Sequence, residues 1–487
     1  MSGLFLTAPL PGRSRGFRSG EAAFTLIELT VALVAGLAVV LGLMALSREA
    51  SRTFNEEVRS TASEASLRTA NDRLRADLAR AGFMSTGNIQ TDPTVCLPLG
   101  KTIATVNPRP PQGILSLQAI QVTNGGSAGA TPLSGNQSPA LNPASILIAG
   151  NMTTAEQLPI LSQAPVPGGT CTRIMLSPVS PALYRIAPQS SQNQALDLAN
   201  AFQPVPGKQF LVRLVDDTGA AQYLETCNEL SAAGFMGGSS GGSSGSSSGS
   251  SGGGAAGAPY VDIQPLQATI NGSGIYAPAD TGTKCGVAPI SSGHVFINPV
   301  QVVRWEIVQA SVAETANTAQ YSNALGGLST ASTTVDPNKY DLVRSYVDIT
   351  TPTLPDLYAS TEIIAEYAID LDFAFTVDSG TAYAPNVTTY AFEDPLNFPW
   401  VQSVAQNAAA QPQRLREVRY RIVTRTAMAD RSVNVAVASP SQYGAELYLY
   451  RYCLSLTGCT ANGTLQWARA RTITGEVSLP NLQSDYF

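Results

Sequence analysis

The chain begins with a polar segment and then changes abruptly to an apolar one. Residues 1–20 are mostly polar or small, and the expected leader ends at Ala23. The next 23 residues, Phe24 to Leu46, are almost all apolar and carry one charge, Glu28. A helix of that length rises about 35 Å, enough to cross the roughly 30 Å hydrocarbon core of a bilayer. The pattern predicts a transmembrane helix over residues 24–46.

A second helical pattern follows, from residue 47 to about residue 83. Opposite charges recur at helical spacing, as in Glu64/Arg68 and Asp77/Arg80, and indicate a solvated face. Gly82 is a stop signal. The pattern predicts that the helix continues through residues 47–83 as an amphipathic segment. Its apolar stripe follows spacings of three and four in two groups: Phe54, Val58, Ala62 and Ala65, then Leu67, Ala70, Leu74, Leu78 and Ala81.

Residues 84–487 have the pattern of short strands separated by turn-forming residues. The composition agrees, because 42 Gly, 32 Pro and only 13% charged residues are typical of a loop-rich β protein. We therefore expect an α+β fold, in which a long N-terminal helix packs on a large, mostly antiparallel β head. The predicted strands are Ser145–Ala149, Gln209–Val215, Val300–Val308, Ala365–Val377, Glu417–Thr426, Ser432–Ala438, Glu446–Leu456 and Trp467–Leu479.

One stretch of the head, residues 237–257, is almost pure Gly, Ser and Ala. Such a segment has no side chains with which to bury a core, so we expect a disordered insert. A glycine-rich phosphate cradle is the alternative, but no Lys-Ser/Thr follows the glycines and no strand–helix frame surrounds them.

Charge and histidine content argue against nucleic acid binding and against catalysis. The net charge of −6 gives no general attraction for nucleic acid. His294 is the single histidine, which makes an enzyme less probable, and no Ser or Cys nucleophile has a defined base partner in the sequence. We therefore expect no enzymatic activity and no cofactor.

Two groups of charged residues in the head have alternative interpretations. Asp370, Asp372 and Asp378 resemble a calcium cluster, but they lack the spacing and glycine of a calcium-binding loop, so acids alternating on a strand are favoured and no metal is expected. The second group forms either a basic docking patch or, as we favour, a strand face that is solvated or paired with acids. Its members are Arg414, Arg416, Arg419, Arg421 and Arg425.

The six cysteines are even in number and contain no CxxC pair, which favours disulfides in an oxidising compartment over a zinc site. Six cysteines allow fifteen pairings. We expect Cys453–Cys459 to close a short turn and Cys227–Cys285 to close the base of the glycine-rich insert. Cys96 and Cys171 are then left to pair with each other.

The apolar run has two simple explanations. A secretory signal peptide would be cut near residues 45–47, but the run exceeds the usual ~7–15 apolar residues. A plain signal anchor would leave Glu28 as a residue that reaches toward the cytoplasmic interface. Neither explains a carboxylate inside the start of an apolar helix, where a charge is costly and usually marks function.

The run Phe24-Thr25-Leu26-Ile27-Glu28-Leu29, after a basic leader, resembles the signature of the type IV prepilin family. The resemblance implies that a prepilin peptidase cuts before Phe24 and methylates its new amino group. It also implies that Glu28 contacts this amine of a neighbouring subunit during assembly. Ala23 stands where the family usually has glycine, and Gly20 is three residues too early for this cut.

The end of the predicted helix, residues 73–83, is similar to that of large minor pilins of the PilW type. Residues 365–373, 418–425 and 469–482 also resemble strands of that family. The implied function is a minor pilin that primes or caps a type IV pilus. The alternatives are a J-type minor pseudopilin of a type II secretion system, whose heads are usually smaller, and a pilin-anchored surface adhesin.

The family resemblance also implies a set of partners and a location. The partners are the prepilin peptidase, other minor and major pilins, the inner membrane and a possible tip adhesin. Arg13, Arg15 and Arg18 precede the apolar run, and no basic cluster follows it before Arg48, so the N-terminus is expected in the cytoplasm. The head would then be periplasmic, and on the pilus or cell surface after assembly.

Overall fold

The structure is a computed structural model of the chain. It divides into two compact units, Met1–Val58 and Arg59–Phe487. The residues that it describes are 25–95, 117–123, 143–166, 171–189, 191, 193–227, 233–236, 258–264, 294–309, 339–349, 354–381, 384–392, 398–402, 410–429, 449–454 and 467–482. The predicted insert at residues 237–257 and the predicted strand Ser432–Ala438 lie outside these ranges.

The first long element is helix α1, Leu26–Ala79, with 54 residues. Every residue from Thr25 to Ser51 is exposed. An 18-residue window of α1 is long and apolar enough to cross a membrane. No proline interrupts the segment, and its aliphatic residues, alanines and long charged residues are compatible with a helix.

In the second unit, the last turns of α1 form part of the core. Leu67, Ala70, Leu74 and Leu78 are buried at helical spacing, as the apolar stripe predicted. Gly82 follows with φ +70°, a left-handed conformation that ends many helices. Its N–H donates to the carbonyl of Ala149 at 2.9 Å. The end of the helix is thus hydrogen-bonded to a strand of the head.

Eleven strands, β1 to β11, form one antiparallel sheet system. The longest is β9, with 15 residues. Within the residues listed above, three short α-helices lie between strands: α2 (Pro181–Ile186), α3 (Gln194–Phe202) and α4 (Phe398–Val401). The strands are β1 (Ile120–Thr123), β2 (Ser145–Gly150), β3 (Leu158–Pro165), β4 (Thr172–Leu176), β5 (Leu211–Asp216), β6 (Ala221–Thr226), β7 (Ala233–Met236), β8 (Ala258–Gln264), β9 (Val295–Gln309), β10 (Tyr340–Tyr346) and β11 (Glu362–Ala365).

Six of these strands close into a ring, because β9 pairs with both β3 and β5. The order around the ring is β9, β3, β4, β8, β6, β5 and back to β9, and every pairing is antiparallel. Ile297 of β9 is the partner of Leu158 on one side and Leu214 on the other. All three belong to one buried cluster, which also includes Leu183 of α2 and Phe202 of α3.

The second half of β9 leaves the ring and pairs with β2 and β10. A separate five-stranded antiparallel sheet follows, in the order β13-β12-β14-β16-β15. Its inner residues share one buried cluster with the end of α1 and with β1, β2, β9 and β10. The strands are β12 (Ala368–Asp378), β13 (Val387–Thr389), β14 (Leu415–Arg425), β15 (Arg451–Cys453) and β16 (Trp467–Ser478).

The predicted α+β class is confirmed: one long apolar N-terminal helix accompanies a large antiparallel β region. The strand pattern located β2, β5, β12, β14 and β16 to within a few residues. Predicted strand Val300–Val308 covers only part of β9, which begins at Val295. Within the predicted strand Glu446–Leu456, the described part contains β15.

Two of the predicted disulfide pairings are wrong. Cys171 is bonded to Cys227, with a Cα–Cα distance of 6.4 Å. This bond excludes both Cys227–Cys285 and Cys96–Cys171. Cys96 and Cys285 themselves lie outside the described residues.

The order of strands in the ring explains the observed bond. β4 and β6 lie on opposite sides of β8, where Thr172 and Thr226 are both register partners of Ile263. Cys171 and Cys227 are the residues next to these two threonines. The bond therefore links the chain next to two strands that both pair with β8, an adjacency that spacing along the chain does not reveal.

The third predicted pairing is untested. Cys453 is disulfide-bonded, and Cys459 lies outside the described residues. The pairing Cys453–Cys459 therefore stays a prediction.

Candidate functional site

The start of α1 is closed by a reciprocal side-chain cap. The Thr25 N–H and hydroxyl both donate to Oε2 of Glu28, at 3.0 and 2.9 Å. The Glu28 N–H in turn approaches the Thr25 hydroxyl oxygen at 3.4 Å. This is the capping-box arrangement of Thr and Glu three residues apart, which satisfies free donors at a helix start. Glu28 thus has a local structural role in addition to the assembly role predicted from the family resemblance.

The predicted processing residues Ala23 and Phe24 lie outside the described residues. The described helix begins two residues after Phe24, at Leu26. The cut before Phe24 and the contact between Glu28 and an amine therefore stay predictions.

The first unit presents a continuous apolar surface. The large exposed side chains within the predicted span include leucines and valines at nearly every turn, and Leu26 is 80% exposed. A soluble monomer rarely exposes so large an apolar surface, which marks a membrane or protein contact. Phe54 and Val58, which the stripe predicted to be buried, are also exposed.

In the second unit, a buried carboxylate holds the end of α1 to the sheet. Asp77 is only 6% exposed. Its Oδ2 accepts from Arg344 Nε at 2.6 Å and from Trp305 Nε1 at 2.9 Å. Trp305 and Arg344 are register partners on β9 and β10, so their side chains lie on the same face of the sheet.

The charge on Asp77 outweighs the effect of burial on its arginine partner. Burial lowers the pKa of Arg344. The charge of Asp77 and the hydrogen bond to it raise that pKa by more than burial lowers it, so the net shift is upward. The guanidinium is therefore fully charged. Asp77, Arg344 and Trp305 form a closed polar group inside an apolar cluster.

This geometry corrects the prediction that Asp77, spaced with Arg80, lies on the solvated face of the helix. Arg80 instead donates from Nη1 to the carbonyl oxygen of Met152. Asp77 faces the sheet because it lies one turn after Leu74 and directly before Leu78, both of which are buried. Glu64, which the same pattern spaces with Arg68, lies 3.3 Å from Arg471.

The five-stranded sheet contacts the same helix through a tyrosine. The Tyr420 hydroxyl lies 2.9 Å from Oδ1 of Asn71 on α1. Burial raises the pKa of Tyr420 to about 12, so the phenol stays protonated and can donate this bond. A Cβ on Gly475 would come within 2.2 Å of the Tyr420 ring, so glycine leaves the space that the ring occupies.

A second glycine permits close approach of the end of the helix. A Cβ on Gly150 would lie 2.2 Å from the carbonyl oxygen of Arg80. The Asn481 side chain donates to the carbonyl of Ala79 at 2.9 Å, which satisfies one of the free carbonyls at the end of α1. The last turn of α1 is thus held by backbone and side-chain bonds from several strands and turns.

Arg414, directly before β14, and the four arginines on β14 are bonded within the head, and two of the five pair with acids as the favoured interpretation expected. Arg421 pairs with Asp370 at 2.9 Å and with Asp372 at 3.4 Å. Arg416 pairs with Asp378 at 3.4 Å. The other three donate to carbonyl oxygens: Arg414 to Asp378 and Gly380, Arg419 to Tyr390, and Arg425 to Thr426 and Ala427.

The three aspartates considered for calcium are accounted for by these contacts. Asp378 also accepts two backbone N–H bonds in a turn, from Gly380 and Asn386. These bonds, together with Arg416, hold its pKa below the usual range. In the part of the chain that the structure describes, no group of three or more His, Cys, Asp or Glu side chains could hold a metal ion. His294 is exposed and lies 3.5 Å from Asp217.

Comparison with known proteins gives no match: no family model fits the chain, and neither a curated protein nor a solved structure is similar to it. The resemblance to type IV pilins therefore depends on the sequence stretches described above, chiefly the N-terminal motif.

Proposed function

We propose that this chain is a type IV pilin-like subunit, a minor pilin of the PilW type, that takes part in the assembly of a pilus. The observation that carries the proposal is α1. Its start is an apolar, fully exposed segment of membrane-spanning length, with a carboxylate in the first turn. Its end is buried in a β head through Asp77 and a leucine stripe.

The exposed apolar segment needs a different apolar partner before and after assembly. In the monomer the partner would be the lipid of the inner membrane. In a filament the partners would be the corresponding helices of other minor and major pilins, packed by close van der Waals contact. The prepilin peptidase would act first, on the peptide bond before Phe24.

Glu28 has a defined task in this proposal. A carboxylate inside an apolar environment is costly unless a positive charge or hydrogen-bond donors satisfy it. Among the described residues, Glu28 accepts hydrogen bonds from Thr25 through Oε2. The methylated amine of Phe24 on a neighbouring subunit would compensate the charge and fix the stagger between subunits.

The chain offers a matched pair of variants that separates the charge from the cap. Glu28→Gln removes the charge but keeps an oxygen that can accept the Thr25 bonds. Thr25→Ala removes the cap hydroxyl, at a cost of about 1 kcal/mol to the helix, but keeps the carboxylate. We expect both variants to reach the membrane fraction at the wild-type level.

The Glu28→Gln and Thr25→Ala variants should differ in their incorporation into filaments. We expect Glu28→Gln to reduce incorporation into sheared filaments roughly tenfold or more, because a hydrogen bond to a charged group contributes about 1.5–3 kcal/mol. Thr25→Ala should incorporate close to the wild-type level. Equal incorporation of Glu28→Gln and wild type would mean that Glu28 serves only as a helix cap.

A further inference from the structure

The six-stranded ring of the head has two short seams, where a seam is the set of register pairs between two adjacent strands. Within the described residues, β6 and β8 share two register pairs, as do β3 and β9. The other adjacent strands of the ring share four to six. Because a short seam has few hydrogen bonds, we expect the ring to open first at one of these two places. The β6–β8 seam consists of Glu225 with Gln264 and Thr226 with Ile263.

One residue of the β6–β8 seam weakens it. Glu225 is 6% exposed, and its Oε1 is buried without a hydrogen-bond partner in the described part of the chain. Burial and then the negative charge of Asp348 raise the pKa of Glu225 to about 7. A buried carboxyl group that lacks a hydrogen bond is destabilising. Contacts outside the two register pairs therefore have to help to keep β6 on β8.

The Cys171–Cys227 bond lies at this seam. Cys227 directly follows β6, and its N–H donates to the carbonyl oxygen of Asp262 on β8 at 2.9 Å. Cys171 directly precedes β4, which pairs with β8 at residues 260–263. If β6 moved away from β8, Cys227 would move away from the start of β4. The bond between Cys227 and Cys171 opposes that movement.

Opening of the seam would expose part of the interior of the ring. Leu224 of β6 and Val261 and Ile263 of β8 belong to the buried cluster there. The open state is therefore a minor one, and its population depends on how strongly β6 is held. Most of the chain between the two cysteines stays folded in that state. The bond is thus expected to lower the open population about thirtyfold, the low end of what a disulfide contributes.

We propose that the Cys171–Cys227 bond is a redox switch that controls opening of the ring at the β6–β8 seam. When the bond is reduced, two register pairs hold the seam, and one of them contains the buried Glu225. Disulfides persist in oxidising compartments and are reduced in the cytoplasm. The ring is therefore held closed by the bond only outside the cytoplasm. This last consequence, unlike the switch itself, rests on the location proposed for the head.

The switching step is thiol–disulfide exchange with a dithiol. A thiolate of the dithiol attacks Sγ of Cys171, because Cys171 is half-buried and Cys227 is fully buried. The bond between the two cysteines breaks, and Cys227 leaves as a thiolate that takes up a proton. The second thiol of the dithiol then attacks the mixed disulfide, which releases Cys171 as a thiol. The dithiol becomes a disulfide, and two electrons have passed to the protein.

The test measures amide hydrogen exchange by mass spectrometry on the folded full chain in detergent. The wild type is measured oxidised, reduced with dithiothreitol, and reoxidised. The double variant Cys171→Ala with Cys227→Ala removes this bond and retains Cys453, which is also disulfide-bonded. Peptides that contain residues 225–227 and 262–264 report on the seam. Peptides from β3, whose seam with β9 is equally short, and from β14 in the other sheet are the internal controls.

We expect reduction of the wild type, and equally the double variant, to raise exchange at the β6–β8 seam about thirtyfold. Exchange in β3 and β14 should not change. Reoxidation should restore slow exchange in the wild type. Dithiothreitol should have no further effect on the seam of the double variant, which excludes a contribution from the bond of Cys453.

Three results would overturn the switch, and each comes from folded wild type, so that none requires the variant to fold. The first is slow exchange at the seam after reduction, which would mean that hydrogen bonds alone keep it closed. The second is a rise of similar size in β14, which would mean that the bond stabilises the whole head. The third is a bond that dithiothreitol does not reduce in the folded chain, as measured by alkylation of the freed thiols.

Discussion

Replacing Asp77 with alanine is expected to lower the free energy of unfolding of the head by about 3–5 kcal/mol, because it leaves the Arg344 guanidinium buried without its counter-charge. Two groups lose their acceptor together, Arg344 Nε and Trp305 Nε1. Asp77→Asn keeps the shape of the side chain but not the charge, and should be destabilised in the same direction. Urea unfolding of the full chain in detergent measures the change, with Trp305 as a buried reporter next to the altered site.

Two control variants test whether the loss of stability comes from the Asp77–Arg344 ion pair. Asp72→Asn removes a carboxylate from an exposed position on the same helix and should change stability by no more than about 0.5 kcal/mol. The double variant Asp77→Leu with Arg344→Met removes both charges, and should recover most of the loss of the single variant. A single Asp77→Asn variant as stable as Asp72→Asn would contradict the role given to this ion pair.

The head should also lose stability as the pH rises from about 5 to 8, through one carboxyl group on β6. Glu225 is 6% exposed, and its buried Oε1 has no hydrogen-bond partner. Burial, and then the negative charge of Asp348, raise the pKa of Glu225 from 4.5 to about 7. Leu224 faces the interior of the ring, so Glu225 projects from the outer face of the strand.

Stability falls as the pH rises because the folded state retains a proton that the unfolded state has released. Between pH 4.5 and 7 the folded chain holds the Glu225 proton and the unfolded chain has released it. The contribution of this group to stability is thus complete below pH 4.5 and is lost as the pH rises through about 7. A shift of this size corresponds to about 3 kcal/mol.

The measurement is the free energy of unfolding of wild type and Glu225→Gln between pH 4.5 and 8. The difference between the two proteins should change by about 3 kcal/mol over this range, in favour of the variant at high pH. Glu362→Gln alters an exposed surface pair with Arg73, and should keep the wild-type pH dependence. Parallel curves for wild type and Glu225→Gln would show that Glu225 does not titrate in this range.

The sequence was informative where one local pattern determines the structure. Helical spacing placed Leu67, Ala70, Leu74 and Leu78 on the buried face, and the long apolar run placed α1. The same reasoning failed for Asp77, because charge alone favoured a solvated position. Its burial depends on Trp305 and on Arg344, far away in the chain, and spacing within a helix carries no information about them.

The ring of strands and the Cys171–Cys227 bond were not predicted for the same reason, because both depend on contacts between distant segments of the chain. The ring of strands closes because β9 pairs with β3 at residues 296–297 and with β5 along residues 295–300. Such pairings join segments more than 75 residues apart, and the Cys171–Cys227 bond depends on them. The cap formed by Thr25 and Glu28 was a different kind of miss. Its Thr-x-x-Glu signal is present in the sequence, where it lies inside the family motif Phe24–Leu29.

Mass spectrometry of the mature N-terminus tests the central proposal most directly. The proposal predicts a chain that begins with N-methylated Phe24, the residue directly before the Thr25 cap of α1. The same spectrum gives the cleavage site after Ala23 and the methylation together. An N-terminus near Arg48, as a signal peptidase would leave, would contradict the proposal, because the mature chain would then lack the apolar first half of the helix.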